Sequence, residues 1–159
     1  MKVAGIDPGL SGAVCVFDVD RGMLTILDMP TVEVKSGKTI KRRLSEPMLA
    51  ELLRPHDIEH VALEQVSAMP GQGVSSMFNF GQTYGAIRGV LAGLRIPVTM
   101  VAPSKWTRDM KVAGGKDANR QRAAQLFPAY AASFARVKDD GRADAALLAH
   151  WLVTFSQDV

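Results

Sequence analysis

The chain has 159 residues, 47% apolar and 22% charged, with a formal net charge of +3. That composition excludes a disordered or fibrous chain and suits one domain, residues 1–159, with a core of its own; the mild positive charge permits a polyanionic partner without requiring one. The single cysteine, Cys15, excludes an intrachain disulfide framework, and no uninterrupted apolar run is long enough to span a bilayer, so a soluble intracellular protein is expected.

Three apolar runs come first, at 2–6, 13–19 and 23–29. Pro8-Gly9 and Asp20-Arg21-Gly22 separate them, which reads as an antiparallel meander. Asp7 and Pro8 also break the charged-then-apolar layout of a signal peptide. Residues 30–43 lose periodicity and turn basic, with Lys35, Lys38, Lys41, Arg42 and Arg43. A helix starts near Ser45, with Pro47 tolerated in its first turn. A fourth strand covers 60–66, and a Gly- and Pro-rich loop follows at 67–73. Residues 74–94 read as one long helix in which Gly81, Gly85, Gly89 and Gly93 recur every fourth position. Each glycine weakens a helix interior by about 1 kcal/mol relative to alanine. The repeat therefore implies either tight packing on the sheet, a dimer interface, or close passage of DNA. A fifth strand at 97–101, a short helix at 103–110, a basic loop at 111–116, and helices at 117–126 and about 142–155 complete a mixed sheet flanked by helices.

Three acids sit oddly in this layout. Asp7 follows the first strand, in GIDPGLSGAV, where it serves as a turn residue, part of a phosphate loop, or a metal ligand. Glu64 lies in VALEQV, a run apolar enough for a strand buried on both faces, where a charge needs a partner. Asp144 lies near the start of the last helix, where capping is an ordinary role. Asp140 shares its face if the helix extends back that far. Carboxylates gathered without basic partners repel, and a hard divalent cation such as Mg²⁺ relieves that repulsion. Two such ions can hold a phosphodiester and activate water.

GIDPGLSGA, ALEQV, FGQTYGAIRGVL, APSKWT and DGRADAALLA, in this order and spacing, resemble the RuvC family of Holliday junction resolvases, over about residues 2–151. The resemblance implies an α/β, ribonuclease H-like fold with a mixed five-stranded sheet flanked by helices. It implies a homodimer that binds four-way DNA junctions and nicks two strands symmetrically, with Mg²⁺ or Mn²⁺ as cofactor. The family's ligand positions match Asp7, Glu64 and Asp144. A fourth acid or histidine is expected three residues before the last, and here that residue is Gly141. Asp140, then Asp139, is the substitute. Lys105 and Lys116 match basic DNA-contacting positions; Arg120 and Arg122 extend that surface, and Lys41, Arg42 and Arg43 form a second arm. Lys116 is also placed to stabilise charge developing at the phosphate.

Other departures are Ser67, where the family often carries a wedge aromatic that Met69 or Phe78 would replace, and the basic segment 35–43. They fit a compact phage-like or prophage-like relative, placed in the cytoplasm of a bacterial cell or infected host. Trp106 and Trp151 are expected in the core, and the three histidines are assigned no chemistry. Rival readings are a related nuclease acting on three-way, flap, fork or RNA substrates, a non-catalytic junction-binding protein, and an actin-like kinase, for which the chain is too short.

Overall fold

A computed structural model describes residues 1–68, 70–115 and 117–158. Five strands form one sheet in the order β3-β2-β1-β6-β7. They are β1 (Lys2–Ile6), β2 (Ala13–Asp18), β3 (Met23–Asp28), β6 (His60–Glu64) and β7 (Val98–Val101). β1, β2 and β3 are antiparallel neighbours, as the meander predicts. β6 runs parallel to both β1 and β7. Parallel neighbours need a crossover, and between β6 and β7 it contains α2 (Val74–Gly93).

Strand side chains alternate between faces, and both faces of this sheet are covered. Val3, Cys15, Phe17 and Ala62 pack beneath α5 (Asp140–Phe155), with Leu148 and Leu152. Ala4, Ile6, Val14, Val61 and Leu63 face α1 (Glu46–Leu53) and α2, with Leu49, Leu53, Ile87 and Leu91. That two-sided burial explains why β1, β2 and β6 read as almost continuous apolar runs. α3 (Pro103–Asp109) and α4 (Ala118–Leu126) lie on the α5 side and contribute Trp106, Met110 and Ala123 to its core. Trp106 and Trp151 are both buried, as expected.

Two sequence expectations change. The basic segment is not irregular: β4 (Thr31–Ser36) and β5 (Thr39–Leu44) form a separate two-stranded hairpin. It turns over Gly37, whose φ of 61° suits glycine. Val32, Val34 and Ile40 are exposed on it, so it lacks the buried stripe that makes a strand visible in sequence. The glycine repeat of α2 does not pack tightly on the sheet either. A Cβ added at Gly81, Gly85, Gly89 or Gly93 would meet nothing within 4 Å. α2 is held by Ile87 and Leu91 on its other side, which leaves the glycine face open.

Candidate active site

The register of β1 and β6 assembles the first half of the site. Ile6 pairs with Leu63, so Asp7 and Glu64 stand side by side at the carboxyl ends of adjacent parallel strands. Open α/β sheets place ligands in the crevice at such strand ends. Asp7 is held by its turn: its N–H donates to Ala13 O at 3.1 Å, and its Oδ1 accepts from the Gly9 N–H at 3.2 Å. A Cβ on Gly12 would lie 2.2 Å from Asp7 O, so the loop closes this tightly only with glycine there.

α5 brings the third acid. A Cβ on Gly5 would fall 2.1 Å from Ala145 O and 2.5 Å from Ala149 N, so β1 admits the helix backbone directly against it. Asp144, one residue before Ala145, thereby reaches the strand ends. Its Oδ1 accepts from Asn119 Nδ2 at 2.6 Å, and Glu64 Oε1 accepts from Trp106 Nε1 at 3.0 Å. Neither Asn119 nor Trp106 stood out in the sequence as a site residue. Asn119 resembles an ordinary helix-start residue and Trp106 an ordinary core aromatic.

The electrostatics of the three acids agree. Burial raises the Asp7 carboxyl above its usual range against the opposing Gly9 N–H. Burial also raises Glu64, opposed by Trp106, and the charge of Asp7 pushes it further. Asp144 is pushed up to about 7, first by burial and then by the charges of Asp7, Glu64 and Asp140, against the Asn119 hydrogen bond. Among the described residues none of the three has a cationic partner. Partly buried oxygen donors gathered without a cation suit a hard divalent metal ion, and the donor chemistry fits one. Among the described residues no three acidic, His or Cys side chains are yet gathered closely enough to hold an ion. The Glu64 and Asp144 carboxylates rest on Trp106 and Asn119 instead.

The space beside Gly141 is already filled. A Cβ on Gly141 would lie 2.7 Å from both Gly12 Cα and Ser11 O, and 2.9 Å from Asp7 Oδ2. The Asp7 loop thus occupies the room that a side chain at 141 needs. The last helix begins at Asp140, two residues before its expected start, which puts Asp140 and Asp144 one turn apart. Asp140 is exposed and lies 2.7 Å from Arg120 Nε, an ion contact without an aligned hydrogen bond. Asp139 is buried and engaged by Arg136 and Arg142, which hold its carboxyl below the usual range. Its carboxyl thereby ties the start of α5 to Arg136 and Arg142.

The predicted basic surface divides. Arg120 is 10% exposed; it pairs with Asp117, donates to Ala135 O at 3.0 Å and contacts Asp140. Arg122 donates to Met110 O at 2.8 Å, tying α4 to the end of α3. These two arginines hold helices together, which gives both a structural role in addition to the surface expected of them. Lys105 stays half-exposed, bonded to Asp109 at 3.0 Å and 5.6 Å from the Trp151 ring centroid. Lys116 and Met69 lie outside the described residues. Lys41, Arg42 and Arg43 are exposed on β5 and line a groove of about 400 Å³ against α2. Arg42 reaches Leu10 O and, at 3.4 Å, Ser11 Oγ on the Asp7 loop. Phe78 is 66% exposed on α2.

Residues 3–150 match the family described as crossover junction endodeoxyribonuclease RuvC. The chain belongs to the RuvC family. A curated relative, the chloroplastic Holliday junction resolvase MOC1 of Chlamydomonas reinhardtii, is 30% identical over 84% of this chain. The chain spans only 18% of that relative's length. Thermus thermophilus RuvC in complex with a Holliday junction substrate superposes with a TM-score of 0.58 at 18% identity, covering 94% of this chain and 90% of that one. A second T. thermophilus RuvC structure gives 0.54 at 17% identity, with 96% of each chain covered. These likenesses establish the RuvC fold, ribonuclease H-like, for this five-stranded sheet. Among the described residues no helix is long and apolar enough to cross a membrane.

Proposed function

We propose that this protein is a metal-dependent, structure-selective DNA endonuclease that resolves four-way junctions by paired nicks, in DNA recombination and repair. One observation carries the reading. Asp7, Glu64 and Asp144 are partly buried acids from two parallel strand ends and one helix; burial raises all three carboxyls, the charge of Asp7 raises Glu64 further and those of Asp7 and Glu64 raise Asp144, with no cationic partner among the described residues. Stability alone does not favour such an arrangement; hydrolysis of a phosphodiester needs it. Asp7, Glu64 and Asp144 would hold Mg²⁺, with Mn²⁺ able to substitute, and Asp140 would complete the set after leaving Arg120. Bound divalent ions supply a nucleophilic water at neutral pH and neutralise charge at the leaving oxygen. Trp106 and Asn119 orient two of the carboxylates. Lys105, Lys116, Lys41, Arg42 and Arg43 bind backbone phosphates, which set affinity and salt dependence rather than sequence choice.

Paired nicks need two sites. The open glycine face of α2, continuous with exposed Val74 and Phe78, supports a homodimer through this helix. Met69 or Phe78 takes the part of the missing wedge aromatic. The setting that accompanies this reading is the cytoplasm of a bacterial cell or a phage-infected host.

The test is cleavage of synthetic four-way, three-way, flap and RNA–DNA hybrid substrates at one salt concentration. Asp7→Asn is expected to abolish nicking of the four-way junction while leaving its binding largely intact. Full nicking by that variant overturns the assignment. Preferential cutting of another branched substrate moves the reading to a broader nuclease.

A further inference from the structure

A second basic recess lies across the Asp7 loop from the β5–α2 groove. It measures about 380 Å³, and Arg42, Arg136, Lys138 and Arg142 line it together with the carboxylates Asp28 and Asp139. Neither Arg136, Lys138 nor Arg142 stood out in the sequence, because no two of them are adjacent and none directly follows another cation.

The two carboxylates are already neutralised. Asp139 accepts from Arg136 Nε at 3.1 Å and Nη2 at 2.8 Å. Asp28 accepts from Arg142 Nε at 2.6 Å and Nη2 at 2.7 Å. Both acids are accordingly held below the usual carboxylate range, Asp139 by the Arg136 hydrogen bonds and Asp28 by those of Arg142. These forks fix the guanidinium planes and still leave N–H donors over, since a guanidinium has five. Lys138 is exposed and has no ion pair among the described residues. Arg42 bonds the neutral oxygens of Leu10 and Ser11 and has no ion pair among the described residues. Two positive charges therefore remain unmatched in a polar concavity.

Position gives this excess its meaning. Leu10 and Arg42 line both the recess and the β5–α2 groove, so the two meet at the Arg42 contact. Ser11 and Gly12 line the recess from the Asp7 side. The point beside Gly141 that is 2.7 Å from Ser11 O is also 2.9 Å from Asp7 Oδ2. The wall of the recess is thus the loop that carries the first carboxylate.

We propose that the Arg136–Lys138–Arg142 recess binds a backbone phosphate of the DNA strand being cut, beside the scissile one, and extends the Lys41–Arg43 groove past the Asp7 loop into one track. The inference rests on the endonuclease reading and deepens it. The experiment is equilibrium binding of a synthetic four-way junction across a salt series, with Ca²⁺ replacing Mg²⁺ to keep strands intact. Lys138→Ala and Lys138→Glu are compared with Arg21→Ala, which removes the same charge in the β2–β3 turn at the far end of the sheet. Lys138→Ala is expected to weaken binding severalfold and to lower the slope of log K against log salt by about one. Lys138→Glu weakens binding further, and Arg21→Ala changes neither quantity. If the unmodified protein binds and nicks the junction while Lys138→Glu keeps its affinity and slope, the recess is overturned and the endonuclease reading stands. If the unmodified protein binds no branched DNA, both fall.

Discussion

Replacing Asp144 with asparagine should stabilise the metal-free protein while destroying its nuclease activity. Asp144 is raised from 3.8 to about 7, chiefly by burial. A rise of about three units, at about 1.36 kcal/mol each, sets a ceiling of about 4 kcal/mol on the cost of ionising Asp144 in the fold. The sign follows from proton linkage. Because the folded pKa lies above the unfolded one, the native state holds a proton that the unfolded chain has released between about pH 4 and pH 7. This contribution is complete below pH 4 and is lost as the pH rises through 7. Asparagine never ionises, and its side-chain oxygen can still accept the Asn119 hydrogen bond. The variant and the parent should therefore be equally stable near pH 4 and diverge as the pH rises, reaching a gap of about 2–4 kcal/mol above pH 7, or roughly 5–15 °C in Tm. Part of the rise at Asp144 comes from the charges of Asp7, Glu64 and Asp140, so the gap also depends on their ionisation. The assay is denaturant unfolding at constant ionic strength in EDTA from pH 4.5 to 8.5. Added Mg²⁺ should then stabilise the parent far more than the variant, by mass action at the ligands. A gap that does not change with pH, or a variant less stable at pH 8, refutes the reasoning.

Three further outcomes are expected. Gly141→Ala should lose about 1–3 kcal/mol in chemical denaturation, because its Cβ meets Gly12, Ser11 and Asp7 within 2.9 Å. Trp106→Phe keeps most of the buried aromatic surface but removes the donor to Glu64; nicking should slow at least tenfold at saturating substrate, with junction binding in Ca²⁺ unchanged. Gly85→Arg, on the open face of α2, should raise monomer stability by about 0.5–1 kcal/mol yet shift sedimentation toward monomer and convert paired nicks into single ones.

The legible part of the fold was its two-sided interior. β1, β2 and β6 announce themselves because Ala4, Ile6, Val61, Ala62 and Leu63 are all fully buried against helices or neighbouring strands. The β4–β5 hairpin was missed because it buries little, and a solvated ribbon carries no apolar contrast. The three acids were visible for the complementary reason: a charge beside a buried run is conspicuous. The groups that hold and surround them were not. Asn119 and Trp106 have roles that depend on what lies opposite them in space. Arg120 and Arg122 read as free surface cations until α3, α5 and Asp140 closed around them.

By itself, the sequence determined which residues must be inside, that the strands form a mixed sheet, and that three carboxylates are out of place. It also carries the order of motifs that marks the RuvC family. Only the tertiary structure decided that Ile6 pairs with Leu63, so that Asp7 and Glu64 become neighbours, and that Gly5 lets α5 close on β1 to deliver Asp144. It also decided that the Asp7 loop fills the space at Gly141, and that Arg136 and Lys138 share a recess with Arg42. The reason is physical. Burial acts on each residue separately and leaves its mark along the chain, whereas register and close approach are properties of pairs distant in sequence.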